Sequence, residues 1–156
     1  MNLQRLLELV EIALRPAQAI PSERAIRQFC GDYCSPYYFL MCLLAMEKEN
    51  SFCVELGVET GSGSFAFLEG GATVIGVDND QTKKVERLAG HERFTLITAS
   101  SLPVPSEIVA RNRKIDVLMV DTEHTHAQAR EEFNAYKPYL ADGAVVLFDD
   151  TNAAEG

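Results

Sequence analysis

No apolar run in these 156 residues approaches the roughly 20 needed to cross a bilayer. The opening MNLQRLLELVEIALR is broken by acids where a secretory leader would be continuously apolar. Both absences predict a soluble, cytoplasmic chain with no membrane partner. Positive charge is scarce too: 14 Lys and Arg against 23 Asp and Glu leave a formal charge of −9, the wrong sign for neutralising phosphates, so no nucleic-acid partner is expected. Among Cys30, Cys34, Cys42 and Cys53 there is no CxxC pair, and two of the four lie in apolar segments. That usage predicts free thiols rather than disulfides or zinc. Repeats, low-complexity tracts and Pro/Gly-rich linkers are missing as well, and the length suits one domain.

What is present divides near residue 50. Leu3, Leu6, Leu7, Val10 and Leu14 recur at steps of three and four until Pro16, which predicts a first helix. A second helix is expected from Ser22 to near Gly31. Ser35 and Pro36 open a third that runs to about Asn50. Residues 1–50 thus read as an N-terminal helical segment and 51–156 as a Rossmann-like domain attached to it. In the latter, short apolar runs alternate with amphipathic ones, the signature of a doubly wound, mostly parallel α/β sheet. Strands are expected near Phe52 to Leu56, Thr73 to Asp78, Phe94 to Thr98, Ile115 to Asp121 and Ala144 to Asp149, with helices between them, one spanning His126 to Leu140. The last two strands, VLMVD and AVVLFDD, are continuously apolar before ending in acid, as central strands buried on both faces would be.

The stretch FCVELGVETGSGSFAFLEGGATVIGVDND carries the first chemistry. A strand runs into Gly57, Gly61 and Gly63, a helix follows, and a second strand ends at Asp78. Glycines let the backbone turn tightly beside a ligand, and an acid at Asp78 can accept hydrogen bonds from ribose hydroxyls. Nucleoside binding follows. An NAD site would put Glu59 against pyrophosphate, which argues against it without removing it as an alternative. Glu55, Gly57 and Gly61 instead resemble the first motif of class I S-adenosylmethionine-dependent methyltransferases. That resemblance implies that Glu55, Gly57, Gly61 and Asp78 hold the cofactor, and that Ser100, in ITASSLP, occupies the place of an adenine contact.

Further on, Asp121 ends one strand, and Asp149 and Asp150 end the next. Adjacent parallel strands deliver their carboxyl ends to one edge, so three carboxylates are expected to converge. Like charges that close oppose one another's ionisation, and a hard divalent cation, magnesium or calcium, resolves the conflict. The alternative is that Asp121 merely caps the helix from His126. With IDVLMVDTEHTH and AVVLFDDTN added, the chain from about Ser35 to Asn152 resembles metal-dependent sugar O-methyltransferases of the macrocin and mycinamicin type, related in layout to catechol O-methyltransferases and cephalosporin-hydroxylase-like proteins. The resemblance implies magnesium at Asp121, Asp149 and Asp150, His124 as the base, and a small-molecule hydroxyl acceptor. It also implies two further strands after the fifth, which the sequence to Gly156 is expected to lack. A bare fifth strand would be an apolar edge, so a homo-oligomer is expected. A binding domain without turnover is the other alternative.

Overall fold

A computed structural model of the chain describes residues 1–14, 21–31, 35–80 and 85–150. Three helices come first: α1 (Leu3–Leu14), α2 (Pro21–Cys30) and α3 (Ser35–Met46). Strands and helices then alternate as β1 (Phe52–Leu56), α4 (Ser62–Glu69), β2 (Thr73–Asp78), β3 (Phe94–Thr98), α5 (Ser106–Ala110), β4 (Ile115–Val120), α6 (His126–Tyr136) and β5 (Leu140–Phe148). The five strands form one sheet in the order β3-β2-β1-β4-β5, with every neighbouring pair parallel. The chain winds outward in opposite directions from β1 and β4. At such a switch point the two connections diverge and leave a crevice above the carboxyl ends of the strands.

Side chains that alternate along each strand feed two cores. Cys53, Val74, Val117 and Met119 pack with Met41, Leu44 and Phe67 beneath the layer of α1 to α4. Val54, Leu56, Ile75 and Leu118 pack on the opposite face with Ile108 of α5 and Tyr136 of α6. The helical prelude is therefore one layer of the sheet's own sandwich. Cys42 and Cys53 are buried, Cys30 is half-buried, and among the described residues no disulfide joins any of the three to another; Cys34 and Pro16 lie outside the described residues. No helix among the described residues is long and apolar enough to cross a membrane.

The differences from expectation have local causes. Helix α3 ends at Met46 rather than about Asn50, because the Ser51 amide turns back to the Lys48 carbonyl and Asn50 adopts a φ of +54°. Helix α6 ends at Tyr136 rather than Leu140. A 3-10 turn from Lys137 to Tyr139 follows, built round Pro138, which has no amide to continue a helix. Strand β5 consequently starts at Leu140, pairing with Ile115, and its register against β4 shifts between Ile115 and Val117. A full helix was expected between β2 and β3; among the described residues there is only a 3-10 turn, Glu86–Leu88. The largest correction concerns β5. Its AVVLF run reads as buried on both faces, yet its side chains are half-buried or exposed; β5 pairs with β4 alone among the described residues, which is the edge position expected of a fifth strand without its usual neighbour. The Met1 ammonium donates to the Gly143 carbonyl at 2.7 Å, so the start of the chain reaches the foot of this strand.

Candidate functional site

The turn after β1 is shaped by contacts that leave no room for a side chain. Gly57 has a φ of +82°, and a Cβ there would lie 1.7 Å from the carbonyl oxygen of Asp121. Its amide donates to the Val77 carbonyl at 2.8 Å, locking the turn between β2 and β4. Gly61, with a φ of +85°, is the N-cap of α4. Glu59 also sits in the left-handed region, at +49°, a strained place for a long side chain. Asp78 holds it there: one carboxylate oxygen accepts the amides of Val58 (2.9 Å) and Glu59 (3.0 Å), and the other accepts the amide of Asp80 (2.8 Å). A carboxylate offers about four acceptor positions, so Asp78 retains capacity for a ligand hydroxyl while propping the turn.

Glu55 has a different place from the other residues of the motif. It is 3% exposed beneath α4, where the Ser64 hydroxyl donates to it at 2.5 Å and a Cβ on Gly63 would meet its Oε1 at 2.0 Å. Glu55 thus braces the first turn of α4 from below. Burial pushes its carboxyl up to about 8, from an ordinary 4.5. Since the folded chain holds this proton over a range in which the unfolded chain has lost it, the stability it contributes is complete below about pH 4.5. That contribution falls away as the pH rises to about 8. Thermal melts between about pH 5 and about pH 8 should show the decline in the wild type and a smaller one in Glu55→Gln. Equal slopes would place the proton elsewhere.

At the carboxyl edge, a cavity of about 150 Å³ is lined by Gly57, Asp78, Ser100, Asp121, Thr122 and Gln128. Four of the residues singled out in the sequence, Gly57, Ser100 and Asp121 from beyond β1, β3 and β4 and Asp78 from the end of β2, therefore meet at one hollow. Ser100 is exposed, and its hydroxyl accepts the Leu102 amide at 3.3 Å.

Beside it lies a cavity of about 430 Å³, with Val120, Phe133 and Phe148 among its apolar lining and His124, Asp149 and Asp150 among its polar lining. Thr122 lines both. The Asp121 amide donates to the Leu56 carbonyl (2.8 Å) and the Asp149 amide to that of Val120 (3.0 Å), so pairing with the neighbouring strand brings each acid to the edge. His124 stands between two of them: Nε2 is 2.8 Å from Asp121 Oδ1, and Nδ1 is 3.7 Å from Asp150 Oδ2. Its pKa is raised, chiefly by the hydrogen bond to Asp121. Asp121 is itself held above the ordinary carboxylate range by burial, opposed by the His124 bond, with Asp149 adding repulsion. His124 and Asp150 both adopt left-handed backbone, at φ of +56° and +48°, which the surrounding edge must hold in place. Asp121 does not cap α6; Thr125 does, accepting the Gln128 amide at 3.2 Å.

Among the described residues, no three His, Cys, Asp or Glu side chains form a group that could hold a metal ion. The imidazole lies where the sequence reading placed a cation, between Asp121 and Asp150. The donors at this edge are carboxylate oxygens, the type that a hard divalent cation takes. Tyr37 of α3, which the sequence analysis did not single out, also reaches this region: its hydroxyl donates to the Met119 sulfur at 3.0 Å. Burial raises its pKa, and Asp149, Asp121 and Glu55 reinforce the shift.

A parallel sheet with its switch point at β1 and β4, a glycine turn after β1 and an acid ending β2 define a doubly wound α/β domain, a class in which ligands bind beyond the carboxyl ends of the strands. Residues 54–151 match the family described as methyltransferase domain, and the chain belongs to that family. No curated protein sequence matches it significantly. Among solved structures, it is similar to cofactor-bound Rv0187 from MTB (15% identity, TM-score 0.62, covering 99% of this chain and 67% of that one). It is also similar to the MycE methyltransferase of the mycinamycin pathway, in complex with Mg, SAH and mycinamycin VI (19%, TM-score 0.58, 96% and 38%). A third is apo CalS11, a TDP-rhamnose 3'-O-methyltransferase of calicheamicin biosynthesis (18%, TM-score 0.61, 94% and 75%). The fold is thus the Rossmann-like methyltransferase fold. The chain spans between 38% and 75% of these three proteins.

Proposed function

We propose that this chain is an S-adenosylmethionine-dependent O-methyltransferase acting on a hydroxyl of a sugar or other polyhydroxylated small molecule, with magnesium held by Asp121, Asp149 and Asp150. The observation that carries this reading is the meeting of Gly57, Asp78, Ser100 and Asp121 round one cavity at the switch point. The cofactor, when bound, supplies an electrophilic methyl group. Magnesium would lower the pKa of an acceptor hydroxyl. The solved structures with Mg and SAH, and the sugar-nucleotide enzyme, support the subtype by likeness of fold.

The chain's own residues have distinct tasks in this scheme. Gly57 admits a ligand close to the backbone, Asp78 accepts ribose hydroxyls while fixing the Val58 and Glu59 amides, and Glu55 steadies α4 behind them. In the neutral imidazole, His124 donates Nε2–H to Asp121, which leaves Nδ1 to accept a proton from a hydroxyl in the larger cavity. Val120, Phe133 and Phe148 exclude water from that hydroxyl's surroundings. Alignment of the two reactants supplies most of the acceleration.

Incubation with S-adenosylmethionine, magnesium and a panel of sugars and sugar nucleotides should give oxygen-methylated product, lost on exhaustive chelation. Transfer that survives chelation would remove magnesium from the scheme. Cofactor binding with no transfer to any acceptor would make the chain a binding domain.

A further inference from the structure

Helix α6 is held to the sheet by its inner face. Glu132 is buried there: Ser101 Oγ and Gln128 Nε2 donate to its Oε1 at 2.5 and 3.0 Å, and Thr122 Oγ1 donates to its Oε2 at 2.9 Å. One turn further along, the buried Tyr136 hydroxyl donates to the Ser101 carbonyl at 3.0 Å. These bonds fix the rotation of the helix about its own axis. They leave His126, Ala129, Arg130 and Phe133, spaced at i, i+3, i+4 and i+7, as another face, and all four line the cavity of about 430 Å³.

Arg130 is the member of that face that packing does not explain. With a formal charge of −9 the chain has carboxylates to spare, and arginines elsewhere are engaged: Arg5 pairs with Glu8 and Glu47, Arg27 pairs with Glu23, and Arg93 donates to the Leu68 and Ala72 carbonyls. Arg130 has no hydrogen bond or ion pair with any described residue. Its neighbours three and four positions away on α6 are His126, Ala127, Phe133 and Asn134, so the helix supplies it no carboxylate. His126, about 6 Å back along the helix, is likewise without a hydrogen-bond partner among the described residues.

The cavity is thus divided by charge. Arg130 and His126 stand on its α6 side, whereas Asp149 and Asp150 reach it from the end of β5, with His124 beside them. Its apolar lining includes Phe133 and Phe148, whose ring centroids lie 6.3 Å apart, a surface for the carbon face of a small ring. A guanidinium presents paired donors that match a carboxylate or a phosphate.

Resting on the O-methyltransferase reading above, we infer that the acceptor is an anionic sugar, whose carboxylate or phosphate is bound by Arg130 with His126 as a second donor while its hydroxyl meets His124. Three carboxylates, even around one divalent cation, leave the strand-end side of the cavity negative, which turns the anionic group towards Arg130 and fixes the orientation of the ring. Arg130 is a specificity-determining residue and takes no part in the proton transfer.

Methyl transfer by the full chain, with S-adenosylmethionine and magnesium, to glucose, galactose and mannose, each beside its uronic acid and its 1-phosphate, tests this. In at least one set a charged sugar should exceed the neutral one by about tenfold or more in kcat/KM, as expected for one charge-assisted hydrogen bond. Whether the uronic acid or the 1-phosphate leads tells carboxylate from phosphate. Arg130→Met should cut that advantage to about twofold or less, chiefly through the KM of the charged sugar. Arg130→Glu should turn it into a preference for the neutral sugar, with folding of both variants verified by thermal melts. Neutral sugars used as well as charged ones by the wild type, or an advantage that survives Arg130→Met, overturns the inference. Cofactor binding with transfer to no member of any set would instead overturn the sugar-acceptor reading beneath it.

Discussion

Gly57→Ala is expected to destabilise the chain by about 4 kcal/mol or more, the range reached when a substitution meets backbone that cannot move aside. The new Cβ would lie 1.7 Å from the Asp121 carbonyl oxygen and 2.7 Å from its carbon, both main-chain atoms just beyond a central strand. Nothing there can rotate away. The positive φ adds strain, but a second glycine separates the two causes: Gly90 has nearly the same φ, +80°, with nothing within 4 Å of its ideal Cβ. Gly90→Ala should therefore cost only the conformational penalty, about 1 kcal/mol. Denaturant unfolding of both variants makes the comparison, and a Gly57→Ala no less stable than Gly90→Ala would show that the turn does not press on Asp121.

Asp121→Asn should lower methyl transfer by about a hundredfold or more, the range for disabling a general acid–base pair. The same substitution has a second, independent signature. Asp121 is the main reason the His124 pKa is raised, so removing its charge brings that pKa down towards the ordinary histidine value. In the wild type the imidazole becomes a proton acceptor only as the pH climbs past the raised pKa. In the variant it is neutral at lower pH, and the acidic limb of the rate profile moves down even as the rate falls. Proton NMR titration of His124 follows the shift without reference to turnover. A midpoint unchanged by Asp121→Asn would mean the contact of 2.8 Å does not govern the histidine.

The sheet could be read from the sequence because its strands are marked by composition and its turns by glycine. The bounds expected for β1, β2 and β3 match the structure, and the glycine turn, Asp78 and Asp121 stand where strand ends must deliver them. What could not be read depends on contacts between distant residues. The edge position of β5 was expected only from the missing neighbours that the resemblance implies, since an apolar run such as AVVLF looks the same in a central strand and in a marginal one. The role of Glu55 was assigned by its place in a motif, but Ser64 and Gly63 above it make it a buried brace. His124 was read as the base; its position between Asp121 and Asp150 depends on a left-handed backbone that residue type does not announce. The burial of Glu132 on α6, where the Ser101, Thr122 and Gln128 side chains donate to it, left one faint trace, a glutamine and a glutamate four apart on a helix, and such pairs are commonplace on solvated faces. Only the serine after β3 and the threonine after β4 show that this face is buried.

The central claim is that the edge between Gly57 and Asp78 holds a nucleoside cofactor of the S-adenosylmethionine type. Titration calorimetry of the chain with S-adenosylhomocysteine, alongside NAD and the variant Asp78→Ala, tests it most directly. One site should bind S-adenosylhomocysteine, NAD should bind far more weakly, and Asp78→Ala should lose about ten- to a hundredfold in affinity as the ribose hydroxyls lose a charged acceptor. Tight binding of NAD with none of S-adenosylhomocysteine, or an Asp78→Ala protein that binds as the wild type does, would contradict the account.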